Sequence, residues 1–499
     1  MNSSTVDFRA VQGIVRFGYR RLTEASFLLL RIEDANAARA WLGGAPVSDA
    51  VARDAAPLTA LQIGFTRQGL QALGLRQDVL SGFSLEFLGG LAEDAGRSRL
   101  LGDLGANEPA HWDWGYADET PHLLLMLYAQ PGHLDGWMRA VQGAQWERAF
   151  RVIACLTTSD LHGFEPFGFM DSLSQPAVDW NAQERTVSEQ LTYTNVISLG
   201  EVLLGYPNEY GRYTDRPFVS ASDPLSAVLP EVDGRPDLRD LGRDGCYLVL
   251  RTLEQDVRGF WQFVNAAESG EAEARDALAA AMVGRRRDGT PLVPLQENPI
   301  AGVDAIDAAQ NQFTFDSDPQ GLRCPFGAHI RRTNPRNADL PTPAVYGFEK
   351  ALRVVGLGRQ NLYSDAKASV RFHRIVRRGR EYGSALSVEQ ALASGGEDGP
   401  HGIHFVALMA NIARQFEFLQ SAWMMNSKFN AMTDENDPLL GNREPVAGAI
   451  TDTFSRPRAN RPRDRVCALP QFIRVRGGAY FFLPSLPALR YLSGLDGIA

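Results

Sequence analysis

Several function classes need features that this 499-residue chain does not have. Its four cysteines, Cys155, Cys246, Cys324 and Cys467, form no CxxC pair and no close spacing, which removes the basis for a zinc knuckle or a disulfide framework and suits a reducing compartment. Positive charge is not in excess: 50 Lys and Arg stand against 59 Asp and Glu, a net charge of −9, so the cationic footprint of a dedicated nucleic-acid binder is missing. The longest apolar runs, such as LLLMLY from Leu123, are strand-sized, and no membrane partner is expected. The opening MNSSTVDFRA has no basic stretch followed by an apolar one, and a cytoplasmic location is the expectation. GxGxxG, Walker, GxSxG and HExxH patterns are absent, which leaves a nucleotide enzyme or a serine hydrolase without support.

What is present is a soluble globular composition, 44% hydrophobic and 22% charged, with length for more than one core. SFLLLRI from Ser26 reads as a strand, and Asp34 then caps a helix carrying Ala38, Trp41 and Leu42 at helical spacing. Leu61, Ile63 and Phe65, then His122 to Tyr128, read as two further strands. A helix with Leu134, Trp137, Met138 and Val141 follows, then a strand over Arg151 to Leu156. This order is the ferredoxin-like split βαβ unit. A second series begins at CYLVLRT from Cys246 with a helix through Val257, Trp261 and Val264. It resumes at GIHFVALMA, an amphipathic helix placing Leu408, Ile412, Phe416, Leu419 and Trp423 on one stripe, and FIRVRGGAYFFL from Phe472. The expected fold class is therefore α+β with two ferredoxin-like halves, at residues 1–214 and 246–499, joined by a Pro-, Asp- and Gly-rich linker at 215–245.

Three segments could carry chemistry. In FGFMDSLSQP, Asp171 sits in a Gly-Phe-rich turn, where partial desolvation fits a carboxylate for proton transfer; an aspartate capping a following short helix has the same pattern. In RCPFGAHIRRTNPR, His329 has small neighbours that admit a flat ligand, and Arg331, Arg332 and Arg336 could pair with anionic groups; a structural histidine beside a solvated basic face also fits. In RFHRIVRRGREYG, read as a strand, His373, Ile375 and Arg377 share one face, so Arg377 is either a buried functional guanidinium or part of an edge strand charged against aggregation. The same period puts Ile403, Phe405 and Ala407 together as an apolar wall. His401 and His404 lack a third ligand at metal-site spacing, and Arg285 to Arg287 read as solvated surface.

Taken in this order, GFMDS, CPFGAHIRRTNPR and IVRRGREYG resemble the GxxDG motif, the proximal-histidine segment and the distal-arginine segment of the dye-decolorizing peroxidases. LLGYPNEYG from Leu203, HFVALMANIARQFEF from His404 and VRGGAYFFLP from Val475 extend the resemblance over most of the chain. It implies the dimeric α+β barrel type of fold with heme b in the C-terminal half, hydrogen peroxide as oxidant, and dyes, phenols or other small reductants as electron donors. His329 would be the axial ligand of the heme iron, Asp171 the acid-base group that takes a proton from peroxide and helps deliver it to the departing oxygen, and Arg377 the charge that stabilises the breaking O–O bond. Ile403 and Phe405 match apolar pocket positions, Arg331 a partner for a heme propionate, and Asp437, or failing it Glu417, the carboxylate behind the proximal imidazole.

Two positions depart from the family pattern. Ser172 stands where the motif has glycine, so a positive φ there would be strained and could re-aim Asp171; a heme-binding storage, sensing or electron-transfer protein with impaired peroxidase activity is the alternative this raises. Gly379 stands where some members carry a distal asparagine. Large dyes would not fit a pocket walled by Ile403 and Phe405, which directs attention to surface residues among the 13 Tyr and 8 Trp. The assembly state is open, with a homodimer among the candidates.

Overall fold

The computed structural model describes residues 6–183, 193–303, 307–337, 370–396, 399–445, 448 and 450–495. In the first half, β1 (Glu24–Ile32) leads to α1 (Ala35–Gly44), whose N-terminus is capped by the Asp34 carboxylate accepting from the Ala37 N–H. β2 (Thr59–Phe65), β3 (Leu123–Ala129), α2 (Leu134–Gln142) and β4 (Phe150–Thr157) follow. The second half begins with β5 (Cys246–Gln255) and α3 (Val257–Ala267), continues through two short strands, β6 (Val376–Arg377) and β7 (Arg380–Tyr382), and closes with β8 (Gly402–Met409) and β9 (Ile473–Leu483).

These nine strands form one antiparallel sheet in the order β6-β8-β5-β9-β2-β3-β1-β4, with β7 also pairing β8. Each half keeps the ferredoxin-like order, its first strand between its third and fourth. The halves meet edge to edge at β9 and β2 through one registered pair, Phe482 with Phe65. Both faces are covered, which is why the strands read as continuous apolar runs: Leu28, Leu30, Leu125 and Val249 belong to one core, and Phe27, Leu29, Leu124 and Leu248 to the other. A buried ion pair reinforces the join, with Arg251 on β5 donating to Asp103 from the first half and both side chains 2% exposed.

Four segments differ from the sequence reading. Residues 215–245, read as a linker, hold a small sheet of Phe218–Ser220, Arg235–Asp240 and Glu231–Val232. The strand expected through 371–383 is limited to β6 and β7. His373 lies outside it, stacked on Phe418 with centroids 3.5 Å apart and bonded to the Arg414 carbonyl. Leu408 belongs to β8, and the helix after it starts later and runs as π-helical turns at Ala413–Glu417 and Leu419–Met424. Arg285 is buried, unlike Arg286 and Arg287. Among the described residues no helix is long and apolar enough to cross a membrane.

Asp103→Ala leaves Arg251 charged, buried and without its carboxylate, and is expected to lower the unfolding free energy by about 3–5 kcal/mol in urea titrations followed by far-UV circular dichroism. A change below about 1 kcal/mol would show that the pair does not hold the halves together.

Candidate active site

The loop that carries Asp171 is folded around another acid. Glu165 accepts from the backbone N–H groups of Phe167 (3.1 Å) and Phe169 (2.9 Å) and from Gln255 Nε2 (2.8 Å). Burial pushes the Glu165 carboxyl up to about 7 against these bonds. Phe167 packs on Phe260 with ring centroids 4.7 Å apart, Phe169 stacks on Trp261 at 6.3 Å, and Trp261 Nε1 donates to the Phe167 carbonyl at 3.1 Å, so the loop is anchored on α3. Asp171 closes the turn with its N–H bonded to the Gly163 carbonyl at 2.9 Å, and no helix follows for it to cap.

Ser172 takes φ 62° and Ser174 φ 59°, both in the left-handed region. The position where the motif has glycine thus keeps the conformation that glycine serves, and serine bears the strain. The chain beyond Asp171 is pinned by arginines. Arg377 donates to the Leu173 carbonyl, and Arg20 to that of Ser172 at 3.1 Å. Ser174 Oγ accepts from Arg285 at 2.9 Å and from Arg336 at 3.3 Å. Burial lowers the Arg377 pKa, and the charge on Asp171 opposes that shift.

β6 and β7 place further side chains beside Asp171. Arg377 pairs with Ala407 across β6 and β8, and Glu381 with Ile403 across β7 and β8. Directly paired residues share a sheet face, and residues two apart on one strand do too. Arg377, Glu381, Ile403 and Phe405 therefore line one face, and the Glu381 carboxyl hydrogen-bonds that of Asp171. Ile403 and Phe405 are the partly accessible positions on an otherwise buried β8.

On the other side, His329 begins the short helix His329–Thr333, and its Nδ1 lies 2.9 Å from Asp437 Oδ2. Asp437 Oδ1 is already used by the backbone N–H groups of Leu439 (3.0 Å) and Leu440 (2.9 Å). The ring therefore donates from Nδ1 and keeps the Nε2 lone pair for a ligand. Burial opposes a charge on the imidazole, yet the Asp437 carboxylate and its bond outweigh it and hold the His329 pKa above its ordinary value. The same pair, against burial, holds Asp437 below the usual carboxylate range. His329 lies deep in the fold with its side chain 31% accessible, as a residue lining an internal space does, and it senses the charges of Arg377 and Glu165.

The structure thus brings Asp171, Arg377, His329 and Asp437 into one electrostatic neighbourhood and puts Ile403 and Phe405 on the Arg377 face. Arg331 is a correction. It is 1% exposed, donates to Asp318 Oδ2 at 3.0 Å and to the Cys324 carbonyl at 2.7 Å, and lies between the rings of Phe315 and Phe326, so its terminal donors are committed within the protein and not offered to a propionate. Glu417 bonds the Tyr480 hydroxyl at 2.8 Å and Arg97 at 2.9 Å, leaving Asp437 as the carboxylate on the imidazole. His404 is held by Thr252 Oγ1 at 3.3 Å and the Thr157 carbonyl at 3.1 Å. Sequence reasoning missed Glu165 and Glu381. The alternation Arg377, Gly379, Glu381 was the available signal for the second, and no periodicity marks the first.

Among the described residues no group of three or more His, Cys, Asp or Glu side chains could hold a bare metal ion. A lone carboxylate-backed imidazole fits a metal whose other coordination positions come from a macrocycle, which is the chemistry of a heme iron.

No protein-family model matches the sequence. Relatives do. A dye-decolorizing peroxidase of Mycetinis scorodonius is 27% identical, covering 98% of this chain and 88% of that protein. One from Auricularia auricula-judae is 29% identical over 87% of this chain and 75% of its own length. The curated relatives and the structural neighbours of this chain are dye-decolorizing peroxidases, and they cover most of its length. Among solved dye-decolorizing peroxidases, an ancestral D-type enzyme superposes with TM-score 0.72 at 25% identity, covering 98% of this chain and 99% of the other. The fungal enzyme from Auricularia auricula-judae gives 0.71 at 25% identity, covering 98% and 100%. The two ferredoxin-like halves sharing one continuous sheet are consistent with the fold of these neighbours.

Ser172→Gly removes the side chain from a left-handed residue and is expected to raise the unfolding free energy by about 1 kcal/mol in urea titrations. An unchanged or lowered value would mean that the loop is not strained at this position.

Proposed function

We propose that this protein is a heme b peroxidase that reduces hydrogen peroxide and oxidises dyes, phenols and similar reductants in one-electron steps. The observation that carries this reading is the pairing of a carboxylate-backed imidazole, His329 with Asp437, with an Arg377 guanidinium close enough to sense the charge of Asp171. His329 would hold the iron through Nε2, and Asp437 would make the imidazole a stronger donor. Heme, when bound there, supplies the iron that accepts peroxide and the redox capacity for two electrons.

The chain's own groups do the remaining work. Asp171 would take a proton from one peroxide oxygen and return one to the other, which would then depart as water. Arg377, a fixed positive charge, favours the negative charge that develops on that oxygen. Ile403 and Phe405 narrow the space beside them, which keeps bulky donors at a distance. Ser172 takes the motif's left-handed turn and Arg377 senses the charge of Asp171, which supports the peroxidase over a non-catalytic heme carrier.

Bulky donors would be oxidised at the surface. Among the described exposed tyrosines, Tyr210 is 58% exposed and stacks on Phe372, 3.6 Å between centroids, in the segment leading to Arg377.

Absorption spectra of the heme-reconstituted protein before and after stoichiometric peroxide test the assignment. Rapid conversion is expected for the wild type, loss of heme binding for His329→Ala, and turnover reduced by about 10²–10⁴-fold in Asp171→Asn and by about 10²–10³-fold in Arg377→Leu. A heme spectrum that ignores peroxide would overturn the peroxidase reading. Tyr210→Phe is expected to slow oxidation of a large anthraquinone dye while leaving that of a small phenol unchanged; equal rates on the dye would exclude this surface route.

A further inference from the structure

The distal side contains an acid for which the reaction as described has no use. Glu381 sits on β7, directly across from Ile403 on β8, and alternation puts it on the same face as Arg377, four residues earlier. Its carboxyl hydrogen-bonds the Asp171 carboxyl. Between the two on that face, Gly379 has no room for a side chain: a Cβ there would lie 2.8 Å from the His404 carbonyl oxygen and 3.4 Å from the Phe405 Cα. The next residue able to present a polar group from this edge is Glu381.

We propose that Glu381 is a positioning residue for Asp171: its carboxyl keeps a proton and donates it in a hydrogen bond to one oxygen of the Asp171 carboxylate, leaving the other oxygen to work on peroxide. This deepens the peroxidase reading and rests on it. Two partly buried carboxyls in hydrogen-bond contact cannot both ionise cheaply, so the pair holds one proton between them. Burial, with the Asp171 charge next, pushes the Glu381 carboxyl up to about 8, and Arg380 on its own strand pulls the other way. From the other elements, Arg377 faces Asp171 across the pair, and Glu165 adds a further acid on the loop side. Glu381 is the member of the pair that burial and its neighbour's charge push up, so the proton stays on Glu381. The bond also supplies the orientation that the loop itself does not secure, because Ser172 holds a strained turn where glycine would be relaxed.

The sign of the pH dependence follows. Below about 8 Glu381 keeps its proton and can donate it. As the pH rises through that value the proton is lost, the two carboxylates repel, and Asp171 is no longer held.

The test has two parts. In the protein without heme, carbon-13 NMR of glutamate labelled at the side-chain carboxyl should show a resonance titrating near 8 that is absent in Glu381→Gln and moves down by one unit or more in Asp171→Asn. In the heme-loaded enzyme, kcat/KM for peroxide should fall about fivefold from pH 8 to pH 9 in the wild type. That fall should vanish in Glu381→Gln, whose amide still donates but cannot ionise, while Glu381→Ala should lose rate at every pH. A Glu381 resonance in the ordinary carboxyl range, or one indifferent to Asp171→Asn, overturns the proposal, as does an alkaline fall that survives in Glu381→Gln. A wild type inert to peroxide overturns the peroxidase reading alone, and the NMR titration still decides whether the two carboxyls share a proton.

Discussion

The site depends on carrying one carboxylate across the molecule. Asp171 belongs to the loop after β4, at the end of the first half, yet its partners Arg377 and Glu381 lie on strands of the second. A loop has no lattice of its own to fix a side chain, so the constraint comes from what grips it. Upstream, the Glu165 carboxylate gathers two backbone N–H groups and the aromatic pair Phe167 and Phe169 wedges against α3. Downstream, guanidinium groups from three separated segments, Arg285, Arg336 and Arg377, converge on Ser174 Oγ and the Leu173 carbonyl. Planar, multi-donor arginine suits this work because one side chain can bridge several acceptors without needing a carboxylate at each.

The imidazole side uses a different economy of groups. Asp437 spends one oxygen on two backbone N–H groups and the other on His329, so the carboxylate is fixed before it fixes the ring. The neighbouring arginines, Arg331 and Arg332, are bound to Asp318 and to backbone carbonyls and act as internal cross-links of the ligand segment. A basic run in sequence is here a buried scaffold and not a ligand-facing surface.

Much of this was readable from the amino-acid sequence, and the failures have causes. The strands of both halves announce themselves because both sheet faces are buried and the runs are apolar throughout. Asp171, His329 and Arg377 could be singled out because each sits in a segment with a strong composition. The roles of Arg331 and Arg285 were misread because sequence shows a charge but not the carbonyls that surround it. The long strand through 371–383 failed at its start: residues 370–372 are helical, and pairing with β8 begins only at Val376. Glu381 escaped notice because its importance lies in a neighbour 210 positions away, a fact that only the paired strands and the motif loop together create.

The position of Asp437 along the chain has a consequence for biogenesis. It is 108 residues beyond His329, and it lies in a loop that follows the π-helical turns after β8. A nascent chain folds from its N-terminus as it emerges, and the first half, with its own four strands, can form while the second is still being translated. His329 would leave the ribosome with no carboxylate behind its ring and stay so until the segment around Asp437 had followed and folded onto it. The His329 imidazole acquires its final basicity only when nearly the whole polypeptide exists, so the finished ring is a property of the completed chain alone.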